Sequence, residues 1–141
     1  MKFVVTGGAG FIGSHLIEYL VSKGRSIIVI DNLHSGKIDN LLAVKNEIEF
    51  HNLSILDFDK LRSIIKNSDG IFHKAALTVV QESFEKPREY YDVNVRGTEN
   101  IFKLAKEFGV KVVFASSSSV YGNTTKIPRS EERRVGKECR L

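Results

Sequence analysis

Gly7, Gly8, Gly10 and Gly13 fall within seven residues and carry the strongest chemical signal in the sequence. They read as Gly-x-x-Gly-x-x-Gly from Gly7 and as Gly-x-Gly-x-x-Gly from Gly8. A turn without Cβ atoms can bend sharply and let a diphosphate lie against its backbone. A helix starting there adds unpaired N–H groups and a partial positive charge. Asp31 follows 18 residues after Gly13, at the end of an apolar run. A carboxylate so placed accepts hydrogen bonds from both ribose hydroxyls of an adenosine and repels a 2′-phosphate. Together the two features predict binding of a dinucleotide, NAD rather than NADP.

The motif has this meaning only between a strand and a helix. The pattern supplies both. Residues 2–6 form a short apolar run that ends at Gly7. From residue 11 to 23, Leu16, Ile17, Leu20 and Val21 recur at helical spacing, and Gly24 ends the helix. Further strands are predicted over 26–30, 47–52, 70–73 and 111–115. Helices are predicted over 38–44, 57–66 with Asp57 as N-cap, 80–84, and 88–108 with Val93, Ile101, Leu104 and Phe108 inward. The alternation of strand and helix demands an α/β fold, a Rossmann-type doubly wound parallel sheet with right-handed crossovers. Near-continuous apolar strands fit a sheet covered on both faces. The order stops after about five strands. That truncation is expected to leave an exposed edge and poor solubility or weak NAD binding.

Beyond the glycines, six ordered motifs over residues 1–128 resemble the extended short-chain dehydrogenase/reductase family of NAD-dependent nucleotide-sugar epimerases and dehydratases. They are residues 6–14, 31–33, 73–77, 79–87, 90–98 and 114–122. Within the family the likeness is greatest to the UDP-glucose 4-epimerases. The resemblance implies that Gly7, Gly10, Phe11, Ile12 and Gly13 line the pyrophosphate. It implies that Asp31 and Asn32 hold the adenosine half, with Ser54 and Ile55 at the adenine. It places Ala75, Ala76 and Leu77 beneath the nicotinamide-side ribose and phosphate, and Asn94 beside the cofactor. Read without the family, Asn94 is a buried amide satisfying backbone groups, and His73 is a packed, hydrogen-bonded histidine.

For catalysis the resemblance singles out Ser117, four residues before Tyr121. Its hydroxyl would bond the sugar oxygen at the carbon that loses hydride and pass a proton to a catalytic tyrosine. That tyrosine belongs to a Tyr-x-x-x-Lys motif expected about 20–30 residues beyond Tyr121, where the lysine lowers the tyrosine pKa. Tyr19 and Lys23 have the spacing but sit on the first predicted helix, behind the phosphate turn. Ser54 replaces the usual aspartate at the adenine edge, and Thr78 a lysine seen in some epimerases. Ser118 and Ser119 stand where 4,6-dehydratases carry Asp-Glu, which disfavours dehydration. Decarboxylating relatives keep a glutamate at the second of those positions, which disfavours them too. The implied reaction is a transient hydride transfer at C4 of a UDP-sugar. A different class of function, a catalytically silent NAD-binding sensor or scaffold, is the alternative, as is another oxidoreductase or lyase of the family.

At 141 residues, with 42% hydrophobic and 27% charged residues, the chain has the composition of one globular domain. No apolar run approaches the roughly 20 residues of a membrane span. The first strand meets glycines too early for an export signal, so a cytoplasmic location is expected. One cysteine, Cys139, excludes an intramolecular disulfide, and His15, His34 and His51 lack metal-ligand spacing, so no metal site is expected. The net charge of +4 invites a nucleic-acid reading, but residues 129–140 hold five cations and three anions, half of that excess. That segment resembles a translated sequencing adapter and is expected to be non-native, leaving 1–128 as an incomplete NAD-binding domain. The expected partners are a nucleotide-sugar and, for a longer chain, a second copy packed through the helices flanking the sheet. Neither nucleic acid nor membrane is expected.

Overall fold

A computed structural model describes residues 1–122. The reading of 129–141 as a non-native tail lies outside the described residues. Strands β1 (Lys2–Thr6), β2 (Ser26–Asp31), β3 (Ile48–Asn52), β4 (Gly70–His73) and β5 (Lys111–Phe114) form one sheet in the order β3-β2-β1-β4-β5. All four pairings are parallel. This is the Rossmann-like sheet that the strand–helix alternation predicts.

The strand alternation explains how both faces are covered. Val4, Ile28, Ile30 and Ile71 turn to one face. There they meet Leu61 and Ile65 of α2 (Phe58–Ile65) and Ile101 and Leu104 of α5 (Thr98–Phe108). Val5, Ile27 and Val29 turn to the other. They pack on Ile17 and Leu20 of α1 (Phe11–Ser22) and on Leu41 and Val44 of a 3-10 segment (Ile38–Val44). The chain leaves β1 toward β2 and β3, then returns to build β4 and β5 on the opposite side. That reversal opens a crevice at the carboxyl ends of β1 and β4, where open α/β sheets bind ligands.

One expectation needs correction, the course of the long helix. The predicted helix 88–108 starts one residue earlier, as α4 (Pro87–Tyr91), and passes through a π-helical turn (Asp92–Gly97) before α5. The extra residue of a π turn does not register in a 3.6-residue hydrophobic pattern. Ile101 and Leu104 are buried, while Val93 and Phe108 are only partly so. Asp57 occupies the N-cap of α2 but makes no side-chain cap bond. Its carboxylate lies 3.9 Å from the Lys60 ammonium instead. The short helix predicted at 80–84 is α3 (Val80–Glu85). At the edge of the sheet, Val113 and Phe114 of β5 remain 52% and 42% exposed.

Candidate dinucleotide site

A groove of about 500 Å³ runs along the carboxyl ends of the strands. Its floor begins at the glycine turn. Gly7 takes a left-handed conformation, with φ of 68°, and its N–H donates to the Ile30 carbonyl at 2.8 Å. The Gly10 N–H then donates to the Gly7 carbonyl at 3.2 Å, which closes the turn. A Cβ on Gly7 would lie 2.7 Å from the Ala75 nitrogen, and one on Gly13 would press into the Gly7 carbonyl. Helix α1 opens directly from Gly10, and no side chain caps it. The first N–H groups of a helix have no partner within it. At the start of this helix Gly7, Gly10, Phe11, Ile12 and Gly13 all line the groove. The arrangement fits a diphosphate.

Asp31 ends β2 in the same groove and is 8% exposed. One carboxylate oxygen accepts the Ala9 N–H at 2.9 Å, and the other accepts the Leu33 N–H at 2.8 Å. Asp31 therefore ties the glycine turn to the end of β2, a duty its sequence position did not announce. Each carboxylate oxygen retains a second lone pair for a ribose hydroxyl. Asn32 lines the groove next to it and accepts the His34 N–H at 3.2 Å. Ser54 and Ile55 line the far end. The Ser54 hydroxyl accepts the Leu56 N–H at 3.2 Å, and the Ile55 carbonyl accepts from the Asn100 amide at 3.1 Å.

Ala75, Ala76 and Leu77 form the remaining wall. Two side-chain devices hold them. Thr6 and His73 are register partners on β1 and β4, so their side chains share one face. The Thr6 hydroxyl lies 2.6 Å from His73 Nδ1 and accepts the Ala75 N–H at 3.2 Å, while the Lys74 N–H is shared between the Thr6 carbonyl at 3.1 Å and the hydroxyl at 3.2 Å. With both lone pairs engaged, the hydroxyl donates its one proton to Nδ1. Nε2 of the neutral ring then carries the hydrogen and donates to the Thr98 hydroxyl at 2.9 Å. His73 is 1% exposed, and burial pushes its pKa down to about 4, with the neighbouring Lys74 charge acting the same way. Further along, the Asn94 amide clamps the Leu77 backbone. Its oxygen accepts the Leu77 N–H at 2.8 Å and its nitrogen donates to the Leu77 carbonyl at 2.9 Å.

Asn94 sits in the π turn and does not line the groove, so in this structure its amide serves Leu77. Asn94→Ala is expected to cost about 2 kcal/mol of stability, from two lost hydrogen bonds. Urea denaturation would measure it. Ser117 is not among the groove-lining residues either, whereas its neighbour Ser116 is. The Ser117 carbonyl accepts the Val120 N–H at 3.2 Å. Sequence reasoning missed Lys74, Thr78, Glu89 and Val93 as lining residues, because none falls in a glycine or acidic motif. Tyr19 and Lys23 lie outside the groove, where the Lys23 ammonium stands 5.3 Å from the Tyr19 ring centre. Among the described residues no three His, Cys, Asp or Glu side chains gather as a metal site.

The NAD dependent epimerase/dehydratase family matches the chain over residues 3–139. The chain belongs to this family. The UDP-N-acetyl-alpha-D-glucosaminuronate decarboxylase of Bacillus cytotoxicus is 40% identical over 131 residues, which cover 93% of this chain and 40% of that protein. The UDP-glucose 4-epimerase of Neisseria meningitidis serogroup C is 39% identical over 142 residues, 96% of this chain and 42% of its own length. Among solved structures, the UDP-glucose-4-epimerase from Stenotrophomonas maltophila carries bound NAD and formylated UDP-arabinopyranose. It superposes with a TM-score of 0.85 at 31% identity, over 93% of this chain and 41% of that one. The chain thus spans about two fifths of the length of these family members. Both an epimerase and a decarboxylase are similar to it at nearly equal identity. No described helix is long and apolar enough to cross a membrane.

Proposed function

We propose that the chain is the NAD-binding part of a nucleotide-sugar 4-epimerase acting on a UDP-sugar. The observation that carries this reading is the groove that joins the uncapped start of α1 to the Asp31 carboxylate. In it, Gly7, Gly10 and Gly13 give a diphosphate access to backbone N–H groups, and Asp31 orients the adenosine ribose. Ala75 to Leu77, fixed by Thr6 and Asn94, support the nicotinamide half. The chemistry NAD supplies when bound is a reversible hydride acceptor. The Ser117 hydroxyl is assigned to the sugar oxygen at the reacting carbon, where it holds and relays the proton. A longer protein would add a Tyr-x-x-x-Lys pair and sugar contacts, with 129–141 a non-native segment in this chain.

Two measurements test this reading. Calorimetric titration with NAD is expected to show binding that Asp31→Ala weakens at least about tenfold, the worth of charge-assisted hydrogen bonds. Unaltered affinity in that variant would remove the ribose assignment. In a longer protein read from the source locus, Ser117→Ala is expected to lower kcat more than 100-fold at unchanged KM. The same loss in Ser116→Ala instead would move the role to the groove-lining serine. The similarity to a decarboxylase favours one second reading, decarboxylation of a UDP-sugar acid. Release of carbon dioxide from a UDP-uronic acid substrate would establish it over epimerisation.

A further inference from the structure

The far end of the groove poses a recognition problem. In the dinucleotide reading, a nucleoside held at its ribose by Asp31 would extend its base toward Leu53, Ser54 and Ile55, which line the same groove after β3. Adenine presents an exocyclic amine there, and a buried or half-buried amine needs an acceptor. Ser54 offers one neutral hydroxyl, which accepts the Leu56 N–H and keeps a single lone pair, a weaker acceptor than a carboxylate. The Ile55 carbonyl is engaged by Asn100.

A second acceptor borders the same groove, the solvent-exposed carboxylate of Glu89. Val93 packs against the core cluster that contains Ile55, which brings the α4 end of the long helix to this end of the groove. Glu89 lies four residues earlier, one helical turn from Val93, and lines the groove with it. These two residues also border an adjoining cavity of about 480 Å³ that includes Leu56. Among the described residues lining the groove, Glu89 and Asp31 alone are acidic, and the remaining lone pairs of Asp31 are assigned here to the ribose hydroxyls. The Glu89 carboxylate makes no hydrogen bond or ion pair among the described residues.

We infer that Glu89 is the group that reads the adenine amine, accepting its hydrogen in place of the hydroxyl-bearing Ser54. The inference rests on the dinucleotide reading of the groove. It makes Glu89 a specificity determinant for adenine over bases that carry a carbonyl at the same edge. A carbonyl oxygen facing this carboxylate would be repelled rather than bonded.

The test is titration of the 141-residue chain with NAD and with its deaminated analogue, nicotinamide hypoxanthine dinucleotide. The unmodified chain is expected to prefer NAD by at least about tenfold, the worth of a charge-assisted hydrogen bond. Glu89→Gln is expected to bring the two affinities within about threefold, because an amide can donate to the carbonyl as well as accept from the amine. A change in long-range charge alone would shift both ligands equally and leave the ratio intact, which would overturn the assignment. Ser54→Asp in the Glu89→Gln background is expected to restore the preference. Far-ultraviolet circular dichroism melts matching the unmodified chain would show that both variants fold. If the unmodified chain binds neither dinucleotide, the reading of the groove itself fails, and the Glu89 assignment with it.

Discussion

Gly7→Ala is expected to destabilise the domain by about 3 kcal/mol, to lower its Tm by roughly 10 °C, and to weaken NAD binding at least 100-fold. Two independent penalties act at one position. The backbone at Gly7 has φ of 68°, a left-handed conformation that costs a residue with a Cβ about 1–2 kcal/mol. The new methyl would also sit 2.7 Å from the Ala75 nitrogen and 2.8 Å from the Ala75 Cα, which are backbone atoms without rotamer freedom. The turn and the β4 exit must then separate. Since both line the groove, the cradle for the diphosphate widens with them. Gly24→Ala is the control. Gly24 has a similar φ of 66°, but a Cβ there meets nothing within 4 Å. It should show the conformational penalty in a thermal melt and leave NAD affinity unchanged. Equal losses of affinity in both variants would refute the steric account.

The second large effect is expected in acid. The His73 ring is neutral in the fold, with its pKa near 4, while an unfolded chain restores a value near 6.5. Between these values the unfolded chain takes up a proton that the folded chain refuses. Stability from the neutral ring is therefore complete above about pH 6.5 and declines as pH falls toward 4. The decline is about 1.4 kcal/mol per pH unit, or about 2 kcal/mol between pH 6.5 and 5. Protonation would also place a donor at Nδ1 against the Thr6 hydroxyl, which must then turn from the Ala75 N–H or lose its own bond to the ring, while the Lys74 N–H keeps the Thr6 carbonyl. Urea denaturation at pH 7, 6 and 5 measures the slope. His73→Gln should be less stable at pH 7 yet flatter in this range by about one proton. A slope unchanged by that substitution would place the titration elsewhere.

The residues that made the site legible were those whose chemistry depends on backbone alone. Gly7 and Gly13 declare a tight strand–helix turn because a Cβ at either would run into backbone. The apolar runs around Val5 and Val29 declare a sheet covered on both faces. Asp31 was legible by type and position, but its bonds to the Ala9 and Leu33 N–H groups were not. Those bonds depend on how the turn folds back over β2, which no local pattern encodes. The π turn at Asn94 escaped for a similar reason. An added residue in a helix changes its hydrogen-bond ladder without altering composition. Glu89 and Lys74 escaped because the groove borrows them from elements whose sequence signals concern packing and solvent.

The bonds that Asp31 makes bear on how the proposed dinucleotide would be captured. Its carboxylate already fastens Ala9 to the end of β2, so the phosphate-facing turn is shaped before anything binds. The loss of conformational freedom that a floppy glycine loop would suffer on ligation has been incurred during folding instead. Association then requires little rearrangement of the protein, which favours rapid capture and a high yield of productive encounters. The same wiring makes folding and ligation thermodynamically inseparable at this residue. In the proposed function, a substitution that removes the carboxylate would loosen the empty turn and remove a ligand contact together, and a saturating dinucleotide should recover only the first of these losses.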